Sequence, residues 1–179
     1  PRRFLHDMFE LVLEESLPIA NREHLTFRVA AQLDALSAQH PLLENYLRTP
    51  NIENPSPEAP VDDLRRVQLA WHIANTFDQY TVFRPDLIQQ WQAGSSKGWQ
   101  AELWRRSTDG VQHLHGRAND FASRLQHTQG LPQRVCLFGI TTLPPLYLSL
   151  FDALSAVTDV HLFLLSPSPS YWADLRTEK

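Results

Sequence analysis

Five polar residues on one expected helix are the best candidates for chemistry. His72, Asn75, Thr76 and Gln79 fall at i, i+3, i+4 and i+7, which places them on one stripe, and Asp78 lies at its edge. An imidazole, two amides, a hydroxyl and a carboxylate are groups that hydrogen-bond the edges of nucleic-acid bases. The same spacing describes an ordinary solvated helix face, which on spacing alone is the commoner explanation.

Other chemistry is missing by residue type or by spacing. The chain has only 6 glycines, and none belongs to a phosphate-cradling pattern. Gly94-Ser-Ser-Lys97-Gly98 contains a lysine, but it lacks Gly-x-x-x-x-Gly-Lys-Ser/Thr and follows no expected strand. The expected strand ends, Phe138-Gly139-Ile140 and Ser166-Pro167-Ser168, offer no carboxylate for the Mg²⁺ that phosphoryl transfer needs. The 8 histidines do not cluster; His113-Leu-His115 comes nearest and reads as a solvated loop. No Gly-x-Ser-x-Gly occurs, and the single cysteine, Cys136, sits in an apolar run and reads as a buried, inert thiol. The expectation is no catalytic residue, no metal site and no cofactor.

The elements that must position the polar stripe are mostly helices. Leu5, Met8, Phe9 and Val12 predict a helix over about 3–17, stopped by Pro18. A second runs from about Arg22 to Ala38, and a short third follows Pro41. Residues 49–60 hold four prolines and read as a surface loop. The helix with the stripe starts at Asp62 and Asp63, where negative charge is favoured, and ends before Pro85. Its core face would be Val67, Ala70, Ile73, Ala74 and Phe77. Weaker helices follow over 85–92, 99–106 and 118–126, with breaks at 94–98 and 110–116. Trp71, Trp91, Trp99 and Trp104 read as an aromatic core, with base stacking as the functional alternative.

From about residue 131 the character changes. Arg134–Phe138 and Val160–Leu165 are apolar runs. Between them, Leu143, Leu146, Tyr147, Leu150, Phe151 and Leu154 mark an amphipathic helix, with Thr141 and Thr142 able to cap it and Pro144 suited to its first turn. Together they predict a parallel βαβ unit with a right-handed crossover. The fold class is therefore α/β and predominantly helical: a bundle-like subdomain over 1–130, then the βαβ unit over 131–179. Phe77, Trp71, Leu146, Leu150 and Val135 are expected to be buried. Asn75, Asp78 and Arg117 are expected to be exposed and to converge on one groove.

Composition adds bounds. A 42% hydrophobic content fits a folded protein, and no apolar run approaches the roughly 20 residues of a membrane span. No signal-peptide pattern opens the chain, and a lone cysteine suits the cytoplasm. Beginning at Pro1 inside a helical pattern, the chain reads as an internal piece of a longer protein. The net charge of -4 argues against broad nucleic-acid binding, although Lys97 and Lys179 are the only lysines and the remaining permanent cations are arginine, the better partner for phosphates and base edges.

Six stretches, in this order, resemble the RecC family, the gamma subunits of bacterial exonuclease V. They are Phe4-Leu-His-Asp-Met-Phe9; Ala74-Asn-Thr-Phe-Asp-Gln-Tyr-Thr-Val-Phe-Arg-Pro-Asp86; Trp99-Gln-Ala-Glu-Leu-Trp104; Arg117-Ala-Asn119; Arg134-Val-Cys-Leu-Phe-Gly-Ile-Thr-Thr-Leu-Pro-Pro-Leu-Tyr147; and His161-Leu-Phe through Pro169-Ser-Tyr-Trp-Ala-Asp174. The resemblance implies a fold like part of a superfamily 1 helicase without working ATPase motifs. It also implies partnership with RecB and RecD at double-strand breaks, and passage of a 3′ single strand that is inspected for a regulatory sequence, Chi. Carried over by position, the DNA-binding residues would be His6, Asn75, Thr76, Asp78 and Arg117. The family often has Asp at the position of Asn75 and Trp at that of His6, which bears on the sequence read. Two other functions compete: a protein-interaction module that touches no DNA, and an active nucleotide enzyme, which would need the phosphate loop and acidic ligands noted as missing.

Overall fold

The computed structural model describes residues 2–13, 21–48 and 61–165. Eight α-helices and a two-stranded parallel sheet make up the described chain: α1 Arg2–Val12, α2 Arg22–Ser37, α3 Pro41–Arg48, α4 Asp63–Phe83, α5 Pro85–Gln92, α6 Trp99–Thr108, α7 Leu114–Arg124, β1 Arg134–Phe138, α8 Pro145–Ser155 and β2 Asp159–Phe163. The mainly helical α/β architecture matches the expectation. The Pro18 stop, the proline-rich loop and the strand end at Ser166-Pro167-Ser168 lie outside the described residues.

Two cores form. In the first, α2 and α4 pack side by side through Val29, Leu33, Ala70 and Ala74, the alanines allowing close approach. The helices run in opposite directions: Arg66 near the start of α4 pairs with Asp34 near the end of α2 at 2.8 Å. Phe77 then meets Trp104 edge-on at 5.4 Å and Trp91 at 5.7 Å. Arg28 of α2 reaches the end of α6, its Nε donating to Ser107 O at 2.6 Å, so a cation neutralises carbonyls that the helix leaves unpaired. Asp62 caps α4, its carboxylate accepting from Leu64 N at 2.9 Å and Arg65 N at 3.1 Å.

The second core joins α1, α7 and α8 to one face of the sheet, through Phe9, Phe121, Val135, Leu137, Leu150 and Leu154 among others. β1 and β2 are parallel, with Val135 opposite Val160 and Phe138 opposite Phe163.

Several expectations are corrected. Trp71 is exposed and so is Val67. Trp71 lies about 100° round the helix from Ala70, outside the buried face formed by Ala70, Ile73, Ala74, Phe77 and Thr81. Cys136 is also exposed. Strand alternation sends Val135 and Leu137 into the core and Cys136 to the opposite face, which the described residues leave uncovered. His113 and His115 are buried rather than solvated, because α7 begins at Leu114 and runs through Gly116. No threonine caps α8; Pro144 is its cap residue and Pro145 opens its first turn.

Candidate nucleic-acid interface

A cleft of about 720 Å³ opens where the two cores meet. Its walls come from α1, the start of α2, the second half of α4, the end of α6 and the start of α7. Three arginines, Arg3, Arg22 and Arg117, face it against two carboxylates, Glu23 and Asp78. The buried rings of Phe9 and Trp104 and the half-buried Tyr147 line it. An acidic chain thus holds a locally cationic, aromatic concavity, the pairing that suits single-stranded nucleic acid.

Arg117 is the unusual group. It is only 5% exposed, the position of a core residue. Its guanidinium lies 4.9 Å from the ring centre of Phe9, a cation–π geometry. Burial lowers its pKa from the ordinary arginine value, opposed by Glu10. Its Nε has no hydrogen-bond partner among the described residues. A buried guanidinium with an unused donor costs free energy, and an anionic or acceptor-rich ligand would relieve it.

His113 sets the start of α7. Its Nδ1 accepts from Gly116 N–H at 3.1 Å, closing the first turn, and its backbone oxygen accepts from Arg117 N at 3.0 Å. The ring packs 5.2 Å from Trp104, and its Nε2 faces the side-chain amide of Gln92. A neutral ring that accepts at Nδ1 carries its proton on Nε2, which calls for the oxygen of Gln92 as acceptor. Burial, with His115 adding to it, pushes the His113 pKa down to about 4, so the ring is neutral at pH 7. Arg117 thus follows a turn that is pinned to both α5 and α6.

Of the five carried-over residues, His6, Asp78 and Arg117 line the cleft together. Asn75 and Thr76 are half-buried and do not line it; the Thr76 hydroxyl donates to His72 O at 2.9 Å, a contact within its own helix. The expected exposure is corrected as well: Arg117 is buried, its guanidinium over the Phe9 ring of α1, and Asn75 and Asp78 are half-buried on α4, which packs against α2 and α7. Arg3 and Arg22 were not singled out by sequence, Trp104 reads there as core and His113 as loop, yet all four line the cleft. Arg3 stands three residues before His6 and so shares its face, a signal that was present. Nothing local to His113 announces a buried cap.

The sequence model described as RecC, N-terminal domain, matches residues 1–179. The chain belongs to the RecC family. It is similar to the RecBCD enzyme subunit RecC of Escherichia coli (strain K12), 30% identical over 199 aligned residues that cover 98% of this chain and 17% of that protein. It is 30% identical to RecBCD enzyme subunit RecC of Haemophilus influenzae, over 74% of this chain and 15% of that protein. The RecC of Mycobacterium tuberculosis H37Rv is 35% identical over 62% of the chain and 11% of its own length. This RecC-family chain therefore spans about a sixth or less of these relatives. No helix among the described residues is long and apolar enough to cross a membrane.

Proposed function

We propose that this RecC-family chain is part of a non-catalytic DNA-recognition scaffold in a RecBCD-type helicase-nuclease acting in double-strand break repair. It guides and inspects a 3′ single strand, reading a Chi-type sequence, on a helicase-like fold without ATPase chemistry. Its partners would be RecB and RecD, and its place the cytoplasm. The observation that carries the reading is the cleft: His6, Asp78 and Arg117, distant in sequence, meet in one concavity with aromatic walls. The Arg117 guanidinium suits a guanine edge or a phosphate, and Asp78 can accept from a cytosine amine. Asn75 and Thr76, on adjoining turns of α4, would act at its margin.

The test uses the complete heterotrimer carrying Arg117→Ala or Asp78→Ala. Loss of the sequence-triggered change in DNA processing, with unwinding and stability kept, is the expected result. Unchanged triggering in both variants would remove the cleft from recognition. A second reading, partner docking without DNA contact, draws on the open face of the sheet, where Phe138 and Phe163 stack at 4.2 Å and are 66% and 47% exposed.

A further inference from the structure

We propose that Trp71 is a stacking platform for one unpaired nucleobase, placed at the mouth of the cleft. The inference rests on the reading that the cleft holds the 3′ single strand, and it adds a contact that the family resemblance did not supply. Trp71 is 46% exposed although it sits in the middle of the longest helix. The Arg22 guanidinium lies 5.9 Å from its ring centre. Arg22 is itself a wall of the cleft, beside Asp78 and Arg117. One side chain therefore connects the cleft with the indole, which is possible because α2 runs antiparallel to α4 and begins beside its later turns.

The helix geometry continues the path. Trp71, Asn75 and Asp78 fall at i, i+4 and i+7, so they share one stripe of α4, with Trp71 about 10 Å along the axis from Asp78. A strand that meets Asp78 in the cleft and leaves along this stripe passes Asn75 and then the indole. The two groups at the exit match the two halves of a nucleotide: an aromatic face for the base, and a guanidinium for the phosphate. Stacking of this kind tolerates any base, so Trp71 would hold the strand in register while Arg117 and Asp78 inspect it. Leu64 and Val67 extend the exposed stripe away from the cleft. A protein partner would favour that apolar end, whereas the Arg22 guanidinium beside Trp71, held by an exposed 3.3 Å pair with Glu23 that a phosphate can displace, favours a polyanion.

The experiment is photo-cross-linking in the complete heterotrimer, using a duplex with a 3′ single-stranded tail. 5-Bromodeoxyuridine replaces one tail nucleotide at a time, and the cross-linked peptides are mapped. A cross-link to Trp71 from one or two adjacent tail positions is expected, whatever the surrounding sequence. It should persist in Trp71→Phe and fall to background in Trp71→Ala. Cross-links to Phe9, Trp104 or Tyr147 with none to Trp71 would overturn this inference and leave the cleft reading standing. No cross-link to any of the four would overturn both. Release of the partner subunits by Trp71→Ala, without a cross-link, would assign the stripe to protein docking and overturn the inference as well.

Discussion

Arg117 and His113 are one turn apart, and each is buried for a different reason. For Arg117 the burial is a cost that leaves its Nε without a hydrogen-bond partner among the described residues. Arg117→Met keeps an unbranched stem against Phe9 and removes the charge, so the urea midpoint should stay at or above that of the wild type while sequence-triggered processing is lost. A loss of about 3 kcal/mol in the unfolding free energy would instead make the guanidinium a structural group. For His113 the cost appears only on acidification. The folded ring titrates at about 4, below the 6.5 of an unfolded histidine. Between those values the unfolded chain binds a proton that the folded chain refuses. The stabilisation is thus complete above about pH 6.5, declines as the pH falls toward 4 and then levels off. The loss is on the order of 3 kcal/mol, and the lowered pKa of His115 acts with the same sign. His113→Asn keeps a capping acceptor and removes one titrating group, so urea melts at pH 7 and pH 4.5 should differ less than in the wild type. An unchanged pH slope would contradict the burial account. None of this was legible in the sequence, where His113-Leu-His115 looked like loop, because the contacts that bury it come from Gln92 and Trp104 of other helices.

Helices and strands were far more legible than individual side chains. The apolar spacing, the Asp62-Asp63 start and the Arg84-Pro85 stop placed α4 within a residue of its observed bounds. The βαβ order was equally plain from two apolar runs around an amphipathic helix, and the strands are indeed parallel. What periodicity could not give was which face meets which neighbour. Spacing puts Val67 on the core face and residue type puts Trp71 in an aromatic core, whereas the buried face of α4 starts at Ala70 and takes in Ile73, Ala74, Phe77 and Thr81. Cys136 was put in the core because a strand in an open sheet was treated as covered on both faces. The elements also differ in what they tolerate. Asp62→Ala should cost α4 about 1 kcal/mol, read from the denaturation midpoint. Phe121→Ala, which empties a site packed edge-on against Phe9 at 5.1 Å, should cost about 3–5 kcal/mol. A smaller loss at Phe121 than at Asp62 would mean that the second core is not the support of α7.

At the scale of the molecule, the cleft lies where the two cores meet. Arg117 belongs to a helix packed on the sheet side, while Asp78 and Trp104 belong to the helical side. The geometry of the cleft therefore depends on how the two cores pack, and His113 is one of the contacts between them. This is also why an acidic chain need not repel DNA: the net charge of -4 is an average over the chain, and the cleft concentrates arginine. The resemblance read from six motifs reached the family, since those motifs are strung along nearly the whole length, but the convergence of His6, Asp78 and Arg117 needed the fold. The most direct test of that convergence is a base-by-base profile. The trigger sequence is varied one base at a time, and the processing change is measured in the complete complex with wild-type chain and with Arg117→Ala. A base-reading Arg117 predicts relaxed discrimination, worth about 1–3 kcal/mol, at one or two positions of the trigger and unchanged discrimination elsewhere. A uniform loss at every position, or no change at any, would contradict the claim that this cleft reads sequence.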